Sequence, residues 1–455
     1  MSELSTISRH ALTVLAGQLA VMAFGVTDTV VAGRYAQHAL AALSIGSAVF
    51  VSVYVALMGV LQALLPVWAE QRGANAQAAI GASVRQSLYI CSAAAVLGMA
   101  LLLLPEPILR WTEVPPELRG EVRAYLAILA FGLPPALLFR IYSTLNQALG
   151  HPRLVTWLQV GALAIKVPLS IWFTFGGAGL APQGAAGCAW ATLVVNYSLL
   201  LVAWSMLRRH PMYAPLKLWQ PLERPHAAQL ARFMRLGLPA GLSILVEVTS
   251  FTLMALFIAR QGTLASAAHQ IASNLAAVLY MVPLSLAIAT SARVSFWRGA
   301  GNETHAAAVA LQGFWLAALM GFALAAILFI TKYAVASLYS RNADVVALAA
   351  SLLAWVAAYH VADALQTLCI FVLRCYRITL APLLVYGVLL WGVGLYGGYR
   401  LTYHGLSGWG PFNSPAPFWA AGAAALALTA LVFTALLLGV LRLSRREARA
   451  PLMRA

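Results

Sequence analysis

Residues 236–259 read LGLPAGLSILVEVTSFTLMALFIA. The run is long enough to cross a bilayer, which takes about 20 apolar residues. It holds one ionisable side chain, Glu247, near its centre. A carboxylate at mid-bilayer costs about 2.5–3.5 kcal/mol on insertion scales and marks an ion or substrate pathway by default. The stretch therefore predicts a membrane-spanning helix with a working acid. Similar apolar runs recur along the 455 residues and predict twelve spans: 8–32, 39–65, 86–109, 122–143, 154–175, 185–207, 236–259, 266–291, 308–330, 346–372, 381–400 and 416–441. Hydrophobic residues make up 62% of the chain and charged residues 9%, against about 25% charged in a soluble domain. The predicted class is an all-α, multi-pass membrane protein.

The net charge of +16 reads first as a nucleic-acid signal, but its distribution argues against that partner. With both termini on one side, that side collects most of the 29 Lys and Arg, including Arg208, Arg209, Arg232, Arg235, Arg442, Arg445 and Arg446. Arg34, Arg110, Arg119, Arg123 and a few others fall opposite. The positive-inside rule places both termini in the cytoplasm, with the chain in the cell (inner) membrane. No cleavable signal peptide is evident, because the first apolar run is long enough to span. The cysteines, Cys91, Cys188, Cys369 and Cys375, show no metal or disulfide spacing and read as small buried apolar residues. Trp68, Trp111 and Trp219 read as interfacial anchors.

The chain is a tandem repeat. A shift of about 226 residues lays Arg72-Gly73-Ala74 on Arg298-Gly299-Ala300, and Ala41–Ile45 on Ala267–Ile271. The same shift lays the loop from Ala148 to Arg153 on that from Arg374 to Thr379. Six spans per repeat send both halves into the membrane in the same direction, so the two bundles are expected to be related by a pseudo-two-fold along the membrane normal. The expected division is a first bundle at 1–207, a cytoplasmic linker at 208–235 ending in an interfacial helix, a second bundle at 236–441, and a basic tail at 442–455. Two parallel bundles suit alternating access.

Of the thirteen acidic residues, Asp28, Glu247 and Asp363 lie within spans. Ser243, Glu247, Ser250 and Met254 share one face of helix 7 (236–259) by their spacing. In helix 10 (346–372), His360 precedes Asp363 by three residues and Gln366 follows by three. Asp28 sits nearer the end of helix 1 (8–32). Lys166, in helix 5 (154–175), is the one basic residue well inside a span, with Pro168 and Ser170 close by. A buried Lys takes a carboxylate partner or loses its proton, and Asp28 is the expected partner. Helix 8 (266–291) carries Gln270, Ser273, Asn274 and Tyr280, the last able to offer a ring face to a cation. Pro134, Pro135, Pro168, Pro239 and Pro283 fall inside spans, where they can kink helices and free carbonyls. Walker, zinc-protease and nucleophile-elbow motifs are absent from the sequence. Ion-gradient energy, no enzymatic step and no cofactor are expected.

Asp28-Thr29-Val30-Val31-Ala32-Gly33, Leu40 to Gly46, Leu238-Pro239 with Glu247, Ala268-His269-Gln270 with Arg298-Gly299, and Asp363 to Gln366 with Leu373-Arg374 together resemble the NorM-type branch of the multidrug and toxic compound extrusion (MATE) family. The resemblance covers nearly the whole chain in order. It implies a monomeric multidrug antiporter that expels bulky organic cations in exchange for inward H+ or Na+. The family's carboxylates of helices 1, 7 and 10 match Asp28, Glu247 and Asp363, and its helix 8 aromatic matches Tyr280. The coupling ion is expected at Glu247, Asp363 and Asp28 with Tyr280, Na+ being possible at the first two. Substrate is expected at Asp28, Asp363, Gln270, Asn274 and Gln366, with Lys166, Ser170 and His360 tuning the site. The branch usually carries Asn on both sides of the helix 5 proline, where this chain has Lys166 and Ser170. A lipid-linked precursor flippase would want a basic cavity, and a membrane-embedded transferase a reactive constellation at one membrane face. For the first, the runner-up reading, only Lys166 is available, and for the second His151 and His360 fall on opposite halves. The repeat mates of Glu247 and Asp363 are Val21 and Leu137, so the second half is expected to carry ion coupling.

Overall fold

The computed structural model describes residues 2–111, 115–177, 179–405 and 410–449. Among them twelve helices are long and apolar enough to span a membrane. These are α1 (Glu3–Tyr35), α2 (Gln37–Gly73), α3 (Gln77–Leu103), α4 (Pro116–Ala148), α5 (Pro152–Phe175), α6 (Ala185–Arg209), α7 (Ala227–Ala259), α8 (Thr263–Gly299), α9 (Glu303–Tyr339), α10 (Ala343–Cys375), α11 (Leu380–Tyr403) and α12 (Ala416–Arg446). In hydrocarbon each backbone N–H and C=O must be satisfied within the segment, which is why the apolar runs become helices. Most helices run past the expected spans. At 1.5 Å per residue, the 37 residues of α8 reach about 55 Å, beyond a hydrocarbon core of about 30 Å.

Local chemistry sets the ends. Pro116 and Pro152 open α4 and α5, where a missing N–H costs nothing. Asn302 and Asn342 cap α9 and α10 by accepting from backbone N–H groups of the first turn. The prolines expected inside spans are inside α4, α5, α7 and α8. In α11, Gly387–Tyr396 winds as a π-helix.

Contacts divide the chain into Ala16–Gly241 and a second unit of Met1–Leu15 with Leu242–Ala455. In the first unit α4 is the buried centre, packed on α2, α3 and α6. In the second, α10 holds the same position among α8, α9 and α12. The repeat is visible in detail. The α2 and α8 helices end on the matching Gly73 and Gly299. Arg72 donates to the Ala148 carbonyl (3.4 Å), and Arg298 donates to that of Cys375. Gly150 and Arg377 take the same left-handed turn, with φ of 74° and 63°. Cys375 and Arg377 thus match Ala148 and Gly150 at a shift of 227, one more than expected, and that register carried back along α10 makes Ala136 the mate of Asp363 instead of Leu137. It is still apolar.

Other expectations change. Residues 227–235, where the linker is expected to end in an interfacial helix, are helical and run unbroken into α7. The basic segment from 442, read as a tail, continues α12 as helix to Arg449, and 450–455 lie outside the described residues. Trp68 is fully buried and donates its indole N–H to Ser83 Oγ (2.9 Å), so it is a core residue and not an interfacial anchor. Trp219 is half exposed, and the Trp111 side chain lies outside the described residues. Glu3 is bound by Arg293 through both carboxylate oxygens (2.6 and 2.9 Å) and by the Trp297 indole N–H (3.1 Å), which ties the first turn of α1 into the second unit.

Two close approaches depend on glycine. At Gly187 the α6 backbone touches that of Phe173 and Thr174 in α5; a Cβ there would lie 2.5 Å from backbone atoms. At Gly81 in α3, a Cβ would sit 1.7 Å from the Leu216 carbonyl oxygen, in the 3-10 turn Pro211–Leu216 of the connector between α6 and α7. Gly81→Ala should therefore lift the connector off α3. We expect a lower unfolding midpoint, from an overpacking cost of about 1–3 kcal/mol, and faster trypsin cleavage at Arg208, Arg209 or Lys217. An unchanged midpoint with unchanged cleavage would show that the connector is not docked there.

Candidate functional site: two buried carboxylate centres

In the first unit the anticipated pair is present. Lys166 Nζ lies 2.7 Å from Asp28 Oδ1 and 2.9 Å from Oδ2. The ammonium also donates to Thr192 Oγ1 (2.6 Å) and to the Cys188 carbonyl (3.0 Å). Ser170 Oγ donates to Asp28 Oδ1 (3.0 Å). The Lys166 and Ser170 side chains are fully buried, and Asp28 nearly so. Four oxygens from α1 and α6 thus surround one ammonium from α5. The Gly187 approach brings Cys188 and Thr192 within reach. A buried ion pair holds only when its remaining hydrogen-bonding capacity is met, and here it is met.

In the second unit Asp363, buried in α10, accepts from Gln366 Nε2 (2.9 Å) and Thr367 Oγ1 (3.5 Å), both at Oδ1. Tyr386 of α11 donates to Gln366 Oε1, and Gln366 Nε2 also reaches Thr367 Oγ1 (3.0 Å). The Gln366 amide is thereby committed on both ends, and it orients Asp363. Tyr280 of α8 is half-buried.

Glu247 of α7 lines a cleft of about 40 Å³ with Ser250, Phe251, Met254, Tyr359 and Trp419, room for a few waters or an ion. Phe251, Tyr359 and Trp419 meet pairwise edge to face, with centroids 5.9–6.1 Å apart. Trp391 donates to the Val246 carbonyl (3.2 Å), fixing α7 one residue before Glu247. Arg374, near the end of α10, is a buried guanidinium stacked on Phe371 (4.5 Å).

The structure thus gathers Glu247, Asp363, Tyr280 and Gln366 in the second unit, and Asp28, Lys166 and Ser170 in the first. It does not bring His360, Gln270 or Asn274 into either hydrogen-bonded group. His360 is buried against Pro283, Ala317 and Gly321. Gln270 and Asn274 bond to each other (3.3 Å) on an exposed face of α8. Among the described residues no group of three or more His, Cys, Asp and Glu could hold a metal ion. Sequence reasoning missed Tyr359, Phe251, Trp419, Thr192 and Tyr386. Tyr359 stands four residues before Asp363, a helical spacing that could have found it.

Residues 14–172 and 239–399 match the MatE family. A probable multidrug resistance protein NorM of Aromatoleum aromaticum is 37% identical over 435 residues, covering 95% of this chain and 93% of its own length. The multidrug resistance protein PmpM of Pseudomonas aeruginosa is 33% identical over 91% of this chain and 86% of its own. Among solved structures, the Vibrio cholerae MATE transporter VcmN in its bent form superposes with a TM-score of 0.82 at 17% identity, covering 97% of this chain and 98% of that one. The eukaryotic MATE transporter AtDTX14 gives 0.83 at 18% identity, covering 98% of this chain and 99% of that one. Two helical units and twelve candidate spans agree with that likeness, and the chain belongs to the MatE family of multi-pass membrane transporters.

Proposed function

We propose that this protein is a multidrug efflux antiporter that exports bulky organic cations in exchange for inward H+ or Na+ by alternating access. On this reading it works as a monomer in the cell (inner) membrane with both termini in the cytoplasm. It catalyses no covalent step and uses no cofactor. The names of its relatives support drug efflux. The basic excess on the terminal side supports the orientation.

One observation carries the coupling assignment: Glu247 lines a small aromatic cleft together with Tyr359, which stands one helical turn before the buried carboxylate of Asp363. Two neighbouring acids in low dielectric repel, so one bound cation relieves both desolvation and repulsion. An inward proton or Na+ supplies that cation, with Tyr280 and the Tyr359 ring beside it. An organic cation that gains from the same carboxylates competes with it, so loading one favours release of the other. Gln366, expected at the substrate, is better suited to holding Asp363 in place. Gln270 and Asn274, exposed on α8, remain candidates for substrate contact. His360 would tune Asp363 only through the packing of α10.

Asp28 plays a different part. Its ion position is filled by the Lys166 ammonium, with Ser170 as a further donor. The first unit therefore carries a tethered cation, and Asp28 meets substrate or coupling ion only in exchange for it.

Two experiments test this. In proteoliposomes, Na+ and H+ gradients imposed separately should show ethidium efflux under one of them, and Glu247→Gln should lower that efflux at least tenfold. Normal gradient-driven efflux by Glu247→Gln would rule it out as the coupling acid. Lys166→Asn should lower the unfolding midpoint, since unpairing a buried charge costs about 3–5 kcal/mol. Added Na+ or acid pH should restore part of the loss by neutralising Asp28. The Asp28→Asn, Lys166→Met double variant should unfold near the parent. A single variant as stable as the parent, with no response to Na+ or pH, would show that the ammonium is not the compensating charge.

A further inference from the structure

The first unit carries a second polar–apolar arrangement, remote from its ion pair in sequence and built by the connector after α6. A mainly apolar groove of about 420 Å³ lies between α3, α4 and α6, lined by residues that include Leu138, Ile141, Leu200, Trp204 and Trp219, with Arg85 the one charged side chain on it. The last turns of α6 line it, ending at Arg208 and Arg209. A second cavity of about 370 Å³ shares Leu207, Leu218 and Trp219 with the groove, and is lined by Arg208, Arg209, His210 and Lys217. No carboxylate lines either cavity among the described residues. The acid of the connector that comes nearest in sequence, Glu223, is held by Arg85.

The basic edge is held in place. The Arg208 guanidinium lies over the Trp204 ring (5.4 Å) and the Trp219 ring (5.9 Å), which stand edge to face. Stacking covers the apolar faces of a guanidinium and leaves its N–H edge for an anion. The Trp219 indole donates to the Leu207 carbonyl (3.2 Å). Lys217 is fixed in the left-handed region (φ 52°), and its carbonyl accepts from Arg85 Nη1 (2.6 Å). His210 Nδ1 accepts from the Met212 N–H (3.3 Å). Deeper support comes from Tyr213, whose hydroxyl donates to Asn146 Oδ1 (2.8 Å).

We propose that this is a binding site for one anionic phospholipid, its acyl chain in the α3–α4–α6 groove and its phosphate at Arg208, Arg209 and Lys217. The chemistry is complementary at both ends. The groove is mainly apolar, and the four cationic or ionisable side chains line the cavity that shares Leu207, Leu218 and Trp219 with it, with no acid among the lining residues. Basic pockets at the ends of membrane helices bind phospholipid head groups in this way, and each buried methylene adds to the affinity. A zwitterionic lipid brings a choline or ethanolamine cation to a site that already holds net positive charge. A free phosphate reaches the basic cavity alone and leaves the groove unfilled.

Native mass spectrometry of the purified full-length protein in mild detergent tests this, with dioleoyl phosphatidylglycerol, dioleoyl phosphatidylcholine, dihexanoyl phosphatidylglycerol and inorganic phosphate as the probes. The expected result is retention of dioleoyl phosphatidylglycerol at least tenfold better than either the choline lipid or the short-chain lipid. The exposed double variant Arg209→Gln, Lys217→Gln should reduce that preference several-fold and leave the choline lipid unchanged. Arg442→Gln with Arg446→Gln, at the far end of α12, should change nothing. Equal retention of the two dioleoyl lipids overturns the proposal, as does an undiminished preference in the Arg209 and Lys217 variant. Inorganic phosphate displacing the glycerol lipid at equal concentration, or a short-chain lipid bound as well as the long, also overturns it, since either makes the site one for a free anion.

Discussion

A charged group in hydrocarbon has to be compensated by its immediate neighbours, because solvent cannot do it. The two units meet that demand in different ways. Around Asp28 the compensation is covalent to the chain: Lys166 supplies the opposite charge, and Ser170, Thr192 and the Cys188 carbonyl absorb the remaining donors and acceptors. Around Asp363 the neighbours are neutral amide and hydroxyl groups, and the second acid, Glu247, faces a cleft with space for an ion. One unit pairs its acid with its own ammonium, and in the other an acid lines a small cleft.

The same constraint shapes the surrounding helices. The central helices α4 and α10 are each buried among three neighbours, so a polar side chain on them must find its partner inside the unit. Gln366 does so through Tyr386 and Asp363, and Asn146 through Tyr213 and the Tyr142 carbonyl. Close backbone contact at Gly187 is part of the same design, since a side chain there would push α6 and its Cys188 carbonyl away from Lys166. Two matching arginines, Arg72 and Arg298, hold the ends of α4 and α10 by their carbonyls. These contacts preserve the repeat where the buried residues have diverged.

The helices were legible because hydropathy and backbone hydrogen bonding are both local. Their ends were less so. Once a helix leaves hydrocarbon nothing requires it to stop, and α7 and α12 extend through segments whose charge had suggested an interfacial helix and a tail. Trp68 shows the limit of composition: an indole near a helix end reads as an interfacial anchor until a buried Ser83 hydroxyl is found for its N–H. His360 shows the limit of spacing. Three residues from Asp363 on the same helix, it packs instead on Pro283 and α9, because the position falls on another face of a helix buried all round.

By itself the sequence determined the twelve spans, the repeat, the three acids that lie within spans and the need for a partner to Lys166. Each follows from the cost of placing particular residue types in hydrocarbon, which depends on the residue and its near neighbours in the chain. Only the tertiary structure decided which groups surround each acid. Thr192, Tyr386 and Trp419 lie on other helices, tens or hundreds of residues away from the acids they serve. Their approach is set by helix packing, where a single glycine changes which side chains meet.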